Sequence, residues 1–147
     1  MMHCTALRAT FIFIRPAATM RLMLQRKLKV SRKILIRGVE PKDGLDIMQA
    51  NRPKTGSELT NGPGKLMQAF GVTDLRWNNV MITDSPFKID LQDQRVPAQI
   101  LTSARIGVSK RGGQTNSPYR YYVAGNPYVS GMRKREMNLA THGWLAQ

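Results

Sequence analysis

Residues 62 to 65 read Gly62-Pro63-Gly64-Lys65, a short motif whose possible chemistry follows directly from its residue types. A glycine-rich turn that opens a helix offers unpaired backbone amides, and Lys65 adds one ammonium, so together they could hold a phosphate. The two glycines stand closer to each other than those that precede the lysine of a nucleotide-binding Walker loop. A plain helix-entry turn would use the same residues, and the sequence favours neither interpretation over the other.

Arg37 is a charged residue within a short β-branched run, residues 33 to 39, which Glu40-Pro41 closes. Such a run predicts a buried strand, and a buried arginine is uncommon unless it is paired or has a task. A guanidinium can orient water and stabilise negative charge inside a pocket. The alternative is a structural ion pair with Glu40 or Asp43.

The chain is strongly basic, with 23 Lys and Arg residues against 9 Asp and Glu, a net charge of +14 and a pI of about 10.8. A polyanion is the expected partner, with nucleic acid ahead of an anionic membrane surface. Arg105, Lys110 and Arg111 flank a long predicted strand and its glycine turn, where they could follow a DNA backbone. Taken singly, each also suits a solvated surface.

Cys4 is the only cysteine, so the chain forms no internal disulfide, and His3 and His142 add too few ligands for a structural zinc site. We therefore expect no metal and a reducing, intracellular location. The apolar run at residues 11 to 14 is far too short to span a membrane.

Short helices and strands are predicted to position these residues. Residues 43 to 52 show a helical apolar face that Pro53 ends, residues 53 to 62 are expected to form a loop, and residues 65 to 70 form a second helix with Gly71 as its C-terminal cap. Strands are expected at residues 79 to 82 and 100 to 108, the second with Ile100, Thr102, Ala104, Ile106 and Val108 on one face. The fold class is α+β, an antiparallel sheet with short helices.

Both ends of the chain differ from this central part. Residues 1 to 32 contain seven basic residues and no acid, a composition typical of a mitochondrial presequence, of a disordered segment or of a frame-shifted gene. Residues 116 to 130 are expected to form extended segments and turns, with most of their four tyrosines packed on the core. Residues 131 to 147 are expected to be a disordered tail.

Four blocks resemble the 3-methyladenine (alkyladenine) DNA glycosylase family in order and spacing: ILIRGVEP at residues 34–41, LTNGPGKL at 59–66, SARIGV at 103–108 and YRYYVAGNPYVS at 119–130. The resemblance covers residues 33 to 130 and corresponds to the C-terminal half of the family's single domain. It implies a monomeric base-excision repair enzyme that acts on double-stranded DNA without metal or cofactor. Such an enzyme flips a damaged purine, of the 3-methyladenine or hypoxanthine type, out of the duplex and hydrolyses its N-glycosidic bond.

The same resemblance assigns roles to individual residues. Arg37 corresponds to an arginine that positions the attacking water, while Ile106 and Gly107 correspond to backbone close to that water and to the flipped base. Gly64, Lys65, Arg105, Lys110 and Arg111 are the expected DNA contacts. We expect the protein in the cytoplasm or nucleoid, or in the nucleus or mitochondrion of a eukaryote.

One element of the family pattern is absent from these 147 residues. Hydrolysis through an oxocarbenium-like state needs a carboxylate that deprotonates the attacking water, and the family supplies it from a Glu-Ala-Tyr motif. No Glu-Ala-Tyr occurs here, and residues 1 to 32 offer no acid. We therefore expect a truncated, impaired glycosylase; the alternative is a non-catalytic basic fragment that binds nucleic acid, or an unfolded remnant.

Overall fold

The computed structural model describes residues 9–13, 22–26, 32–88, 95–107 and 116–146. The chain divides into two compact units, Met1–Asp90 and Leu91–Gln147, which are described separately here. Within the described ranges, no helix is long and apolar enough to cross a membrane. Helices and antiparallel strands both occur, as the α+β expectation requires.

The first unit begins with a three-stranded antiparallel sheet. Its strands are β1 (Ala9–Phe13), β2 (Leu22–Arg26) and β3 (Arg32–Leu35), in the order β1-β2-β3, with Leu24 opposite both Phe11 and Ile34. The sequence predicted neither β1 nor β2. It also predicted that β3 would continue to Val39, but the strand ends at Leu35 because the following residues leave the sheet, and Ile36 and Val39 pack on the core.

Helix α2 (Pro63–Ala69) follows the glycine turn and is confirmed as predicted, starting two residues earlier. Pro63 suits the first helical position because its missing N–H would have no intrahelical partner there. At the other end Gly71 has a φ of 67°, and the amides of Gly71 and Val72 donate to the carbonyls of Gln68 and Met67. These two bonds form a Schellman motif, which accounts for the glycine.

The core of the first unit forms around one face of α2. Leu66, Met67 and Ala69 are each about 1% exposed, and Leu59 is fully buried beside them. Six partly buried side chains pack against Leu66 and Met67: Ile36, Val39, Val72, Trp77, Ile82 and Phe87. Phe70, the residue after α2, is 37% exposed, and its ring centroid lies 6.4 Å from that of Phe87.

Three other predictions for the first unit need correction. Helix α1 (Leu45–Asn51) forms within the predicted range, but it buries no residue, and Ile47 is 65% exposed. Side-chain hydrogen bonds of Asn51 and Arg52 connect it to α2 instead. The segment predicted as loop contains a 3-10 helix, Gly56–Leu59, that carries Leu59 into the core. The strand predicted at residues 79–82 is absent, because Asn79 has a φ of 59° and a 3-10 helix starts at Ile82.

The second unit contains a two-stranded antiparallel sheet of β4 (Ile100–Ser103) and β5 (Arg120–Val123). Strand β4 is shorter than predicted because the chain bends after Ser103, and Val108 lies outside the described residues. On one face of this sheet Arg120 donates to Ser103 Oγ at 2.9 Å and lies 4.1 Å from the ring of Tyr122. The opposite face carries the predicted pair Ile100 and Thr102, and both are exposed.

The C-terminal tail is folded, contrary to the expected disorder. The amide of Leu145 donates to Val96 and that of Ala98 to Gly143, each at 2.9 Å, and Asn126, 4% exposed, donates to the carbonyl of His142 at 3.0 Å. Backbone pairing in the tail therefore replaces the solvent contacts expected of a disordered segment. The expectation that most tyrosines pack on the core also fails for Tyr119 and Tyr121, which are 57% and 67% exposed.

We predict that Leu66→Ala lowers the free energy of unfolding by about 2–5 kcal/mol, because it leaves a cavity against Met67. Leu45→Ala, which makes the same chemical change at a 44% exposed helix position, should cost less than about 1 kcal/mol. Urea denaturation in a Trp144→Phe background, followed by Trp77 fluorescence, measures both variants. Equal losses would contradict a core centred on α2.

Candidate functional site

Arg37 lies two residues beyond the end of β3, in the segment that crosses the core of the first unit. Its neighbour Ile36 and the nearby Val39 pack against Leu66 and Met67, and the carbonyl of Val39 accepts a 2.6 Å hydrogen bond from the buried Thr60 hydroxyl. The backbone on both sides of Arg37 is therefore held by packing. Its side chain is half-buried, a setting in which a guanidinium is less screened than at the surface.

Gly64 and Lys65 lie in the first turn of α2, where the sequence suggested a phosphate cradle. The Lys65 ammonium donates to Asn61 Oδ1 at 2.8 Å and lies 3.5 Å from Glu58 Oε1. Its aliphatic stem passes over Gly62, since a Cβ on that glycine would lie 3.5 Å from Lys65 Cδ. A phosphate at this turn would have to compete with Glu58 for the ammonium.

The remaining described candidates lie together in the second unit, directly after β4. Arg105 is half-buried, Ile106 is 37% exposed, and Gly107 sits in a bend with a φ of 66°. Ile106 Cδ1 lies 3.0 Å from where a Cβ of Gly131 would be, so Ile106 covers that glycine. Lys110 and Arg111, the other expected DNA contacts, lie outside the described residues.

Gly107 combines a backbone requirement with open space. A φ of 66° is costly for residues with a Cβ, which explains a glycine at this bend without reference to any ligand. Among the described residues, no heavy atom other than those of its chain neighbours lies within 4 Å of where its Cβ would be. Within the part of the chain that the structure describes, nothing fills the side of Gly107 that a side chain would occupy.

The sequence analysis missed a cleft of about 330 Å³ in the first unit. Aromatic rings form much of its lining, and Asp74 and Arg76 lie at its side; its residues are Phe70 to Asp74, Arg76, Trp77, Pro86 and Phe87. The Arg76 guanidinium donates to both oxygens of Asp74, at 2.6 to 3.0 Å. The hydrogen bonds from the Arg76 side chain and amide lower the pKa of Asp74. The Asp-Leu-Arg-Trp sequence at residues 74–77 was the pattern that could have pointed to this cleft in the sequence analysis.

The described residues contain no group of three or more His, Cys, Asp or Glu side chains that could hold a metal ion. The candidate positions are instead basic, apolar or glycine. Arg37, Gly64 and Lys65 belong to the first unit, and Arg105, Ile106 and Gly107 belong to the second.

Comparison with known proteins identifies the family. Residues 12–127 match the family model described as methylpurine-DNA glycosylase. This chain belongs to the methylpurine-DNA glycosylase family. Membership confirms the resemblance that the four sequence blocks carry, and the match ends at residue 127, before the folded tail.

Three bacterial relatives show how similar the chain is to curated members. Proteins named as candidate 3-methyladenine DNA glycosylases are 47% identical over 113 residues in Latilactobacillus sakei, 51% identical over 115 residues in Lactobacillus helveticus and 40% identical over 111 residues in Staphylococcus saprophyticus. Each alignment covers 76% of this chain and 53 or 54% of the relative. The chain therefore spans about half the length of the curated relatives it matches.

The match to the methylpurine-DNA glycosylase family begins at residue 12. It therefore includes residues 12 to 32, a stretch that the sequence analysis placed outside the family. Strand β2 and part of β1 fall in this stretch. The family model thus includes part of the first sheet as well as the core around α2.

The ion pair of Asp74 and Arg76 beside the cleft gives a prediction for the titration of Asp74. Because hydrogen bonds from Arg76 hold the pKa of Asp74 below its ordinary value of 3.8, Arg76→Gln should raise that pKa towards 3.8. The pair of Asp74 and Arg76 stabilises the folded state fully above pH 3.8, and this contribution is lost as pH falls through the lowered pKa of Asp74. An NMR titration of the Asp74 carboxyl carbon measures the change, with Arg133→Gln as a control distant in sequence. An unchanged Asp74 pKa in Arg76→Gln would contradict this assignment.

Proposed function

We propose that this chain carries one part of a DNA glycosylase that hydrolyses the N-glycosidic bond of alkylated or deaminated purines. The observation that carries the proposal is the family match over residues 12–127, together with relatives that are 40 to 51% identical over 111 to 115 residues. The net charge of +14 supports double-stranded DNA as the substrate, because phosphate neutralisation drives binding. A DNA substrate also favours a location inside the cell. The family resemblance implies that the protein acts as a monomer.

The proposed reaction is direct hydrolysis after base flipping, since the bond to be cut is inaccessible while the purine is stacked. A carboxylate takes a proton from water, the water oxygen bonds to the sugar carbon, and the C–N bond electrons leave with the base. In this scheme Arg37 orients the water, and the backbone at Ile106 and Gly107 approaches the flipped base. The anchored backbone around Arg37 and the open side of Gly107 are compatible with these roles.

The general base is the part of this scheme that the 147 residues do not provide. None of their nine acidic residues stands in a Glu-Ala-Tyr motif. Several already have cationic partners: Asp74 is bound by Arg76, Glu58 lies near Lys65, and Glu136 lies 4.0 Å from Arg133. We therefore propose that this chain alone has weak or no excision activity.

A chimera tests whether these residues are competent parts of a glycosylase. Residues 33–130 would replace the residues of the Lactobacillus helveticus relative that align with them, and the relative retains the rest of its own sequence. We predict single-turnover excision of hypoxanthine from a labelled duplex by the chimera, and a loss of about 10²-fold or more on Arg37→Ala, because the attacking water is no longer oriented.

Arg76→Ala in the same chimera is the matched control, because Arg76 lies by the cleft and is bound to Asp74. Its excision rate should lie within about threefold of that of the unsubstituted chimera, which corresponds to a small change in the activation barrier. Excision by a folded chimera that is insensitive to Arg37→Ala would refute the role of Arg37. No excision by a folded chimera would refute the proposed function of this part.

The alternative function, a basic fragment that binds nucleic acid without chemistry, is favoured by the charge and by the lack of a Glu-Ala-Tyr motif in these 147 residues. A glycosylase leaves abasic sites in damaged duplex, whereas a polycation binds any duplex and leaves it intact. An unfolded remnant would show no cooperative thermal transition. The buried core around Leu66 and Met67 supports a folded chain instead.

DNA binding by the full chain can also be tested at Lys65. We predict that log affinity falls linearly with log salt, by about 0.9 per phosphate contact, and that Lys65→Gln reduces this slope by about 1. Lys54→Gln, at an exposed position in the same unit, should reduce it less. Fluorescence anisotropy with undamaged duplex measures both. If the two substitutions have the same effect, Lys65 makes no specific phosphate contact and its bonds to Asn61 and Glu58 are structural.

A further inference from the structure

Arg120 is the first residue of β5 and stands opposite Ser103, the last residue of β4. Its half-buried guanidinium donates to Ser103 Oγ at 2.9 Å and to the carbonyl of Ser130 at 2.8 Å, and it lies 4.1 Å from the centre of the Tyr122 ring. The two hydrogen-bond partners are 17 and 10 residues away in sequence. A planar guanidinium can make two directed bonds and stack on a ring at the same time. Arg120 therefore joins β4, β5 and the segment that follows β5.

The bond to Ser103 acts on the backbone that enters the bend at residues 104–107. A serine hydroxyl can accept one hydrogen bond while it donates another. The Ser103 hydroxyl accepts from Arg120 and donates to the carbonyl of Ala104 at 3.3 Å. Arg120 thus directs the hydroxyl proton towards Ala104, and the hydroxyl holds a peptide group at the start of the bend.

The bond to Ser130 acts on the other side of the same bend. Ser130 precedes Gly131, which has a φ of 77°, and a Cβ on Gly131 would lie 3.0 Å from Ile106 Cδ1. The glycine therefore lets the Ile106 side chain lie directly on the backbone. Arg120 holds both segments that meet where Ile106 covers Gly131.

Arg120 differs in these contacts from Arg95, an exposed arginine of the same unit. Arg95 lies over the ring of Trp144, 4.7 Å from its centre. The Arg120 guanidinium is held in one orientation by two hydrogen bonds as well as a ring, and moving it towards a DNA phosphate would break both bonds. Its contacts therefore organise the second unit, and Arg95 provides a comparison with the same charge and the same kind of ring contact.

We propose that Arg120 is a positioning residue for the proposed base pocket. By holding both sides of the bend, it keeps the backbone of Ile106 and Gly107 in one conformation for contact with a flipped base. The contact with a base rests on the proposed function, whereas the hold of Arg120 on the bend does not. A backbone that is ordered beforehand avoids the cost of ordering it on binding and places the base accurately for reaction.

NMR spectra of the full chain test whether Arg120 holds the bend. The Ile106 methyl signal, assigned with Ile106→Val, and the Gly107 amide signal report its conformation. We expect Arg120→Gln to shift or broaden both signals. Ser103→Ala removes one bond and no charge, so it should change the same signals by less. If Arg120→Gln loses its cooperative thermal transition, Ser103→Ala decides the question.

Arg95→Gln is the matched control, because it removes the same charge from the same unit. It should change the indole signal of Trp144 and leave those of Ile106 and Gly107 unchanged. Arg120→Gln should do the reverse, which a general loss of structure in the second unit would not. Equal changes at Ile106 and Gly107 in the two variants would overturn the proposal, as would unchanged signals in folded Arg120→Gln or, failing that, in Ser103→Ala.

Single-turnover excision of hypoxanthine by the chimera of residues 33–130 tests whether the reaction uses this bend. Arg120→Gln should lower the rate at saturating protein by about tenfold or more, because the base is misplaced. Its affinity for undamaged duplex should fall only as much as in Arg95→Gln. A rate equal to that of the unsubstituted chimera would overturn the positioning role. If the unsubstituted chimera does not excise, the proposed function fails, and the NMR signals still decide whether Arg120 holds the bend.

Discussion

The structure of the first unit depends on the burial of one face of α2. Leu66 and Met67 reach the interior only because the helix starts at Pro63 and stops at Gly71 in a Schellman motif. The segment that carries Arg37 is attached to this helix. Ile36 and Val39, on either side of Arg37, pack on it, and Thr60 bonds to Val39 from the preceding turn. Disturbing the helix would therefore be expected to displace Arg37.

The glycine turn at residues 62–65 illustrates how one motif can serve packing and binding at once. Its residues start the helix that forms the core, and Lys65 closes the turn through Asn61 and Glu58. A phosphate contact at Lys65 would exchange these bonds for a charge-assisted bond to DNA. The turn is therefore structural in the free chain, and any role in DNA binding depends on that exchange.

In the second unit, Arg105, Ile106 and Gly107 follow directly after β4. The two faces of the β4–β5 sheet differ in their solvent exposure. The tail supports this unit through backbone bonds to Val96, Ala98 and Gly125. One sheet face remains apolar and exposed even so.

The sequence by itself determined the features that depend on local chemistry. Composition predicted a polyanionic partner, and the spacing of four motifs identified the family. Gly71 predicted the C-terminal end of α2, because glycine permits the backbone angles of the cap, whereas the helix starts at Pro63, two residues before the predicted start. Only the tertiary structure decided which surfaces are buried. Periodicity placed Ile100 and Thr102 on one face of β4, but it did not predict which face of the sheet meets solvent. It also did not predict that Ile47 would be exposed or that the tail would fold. Burial and long-range pairing depend on residues distant in sequence, so no local pattern specifies them.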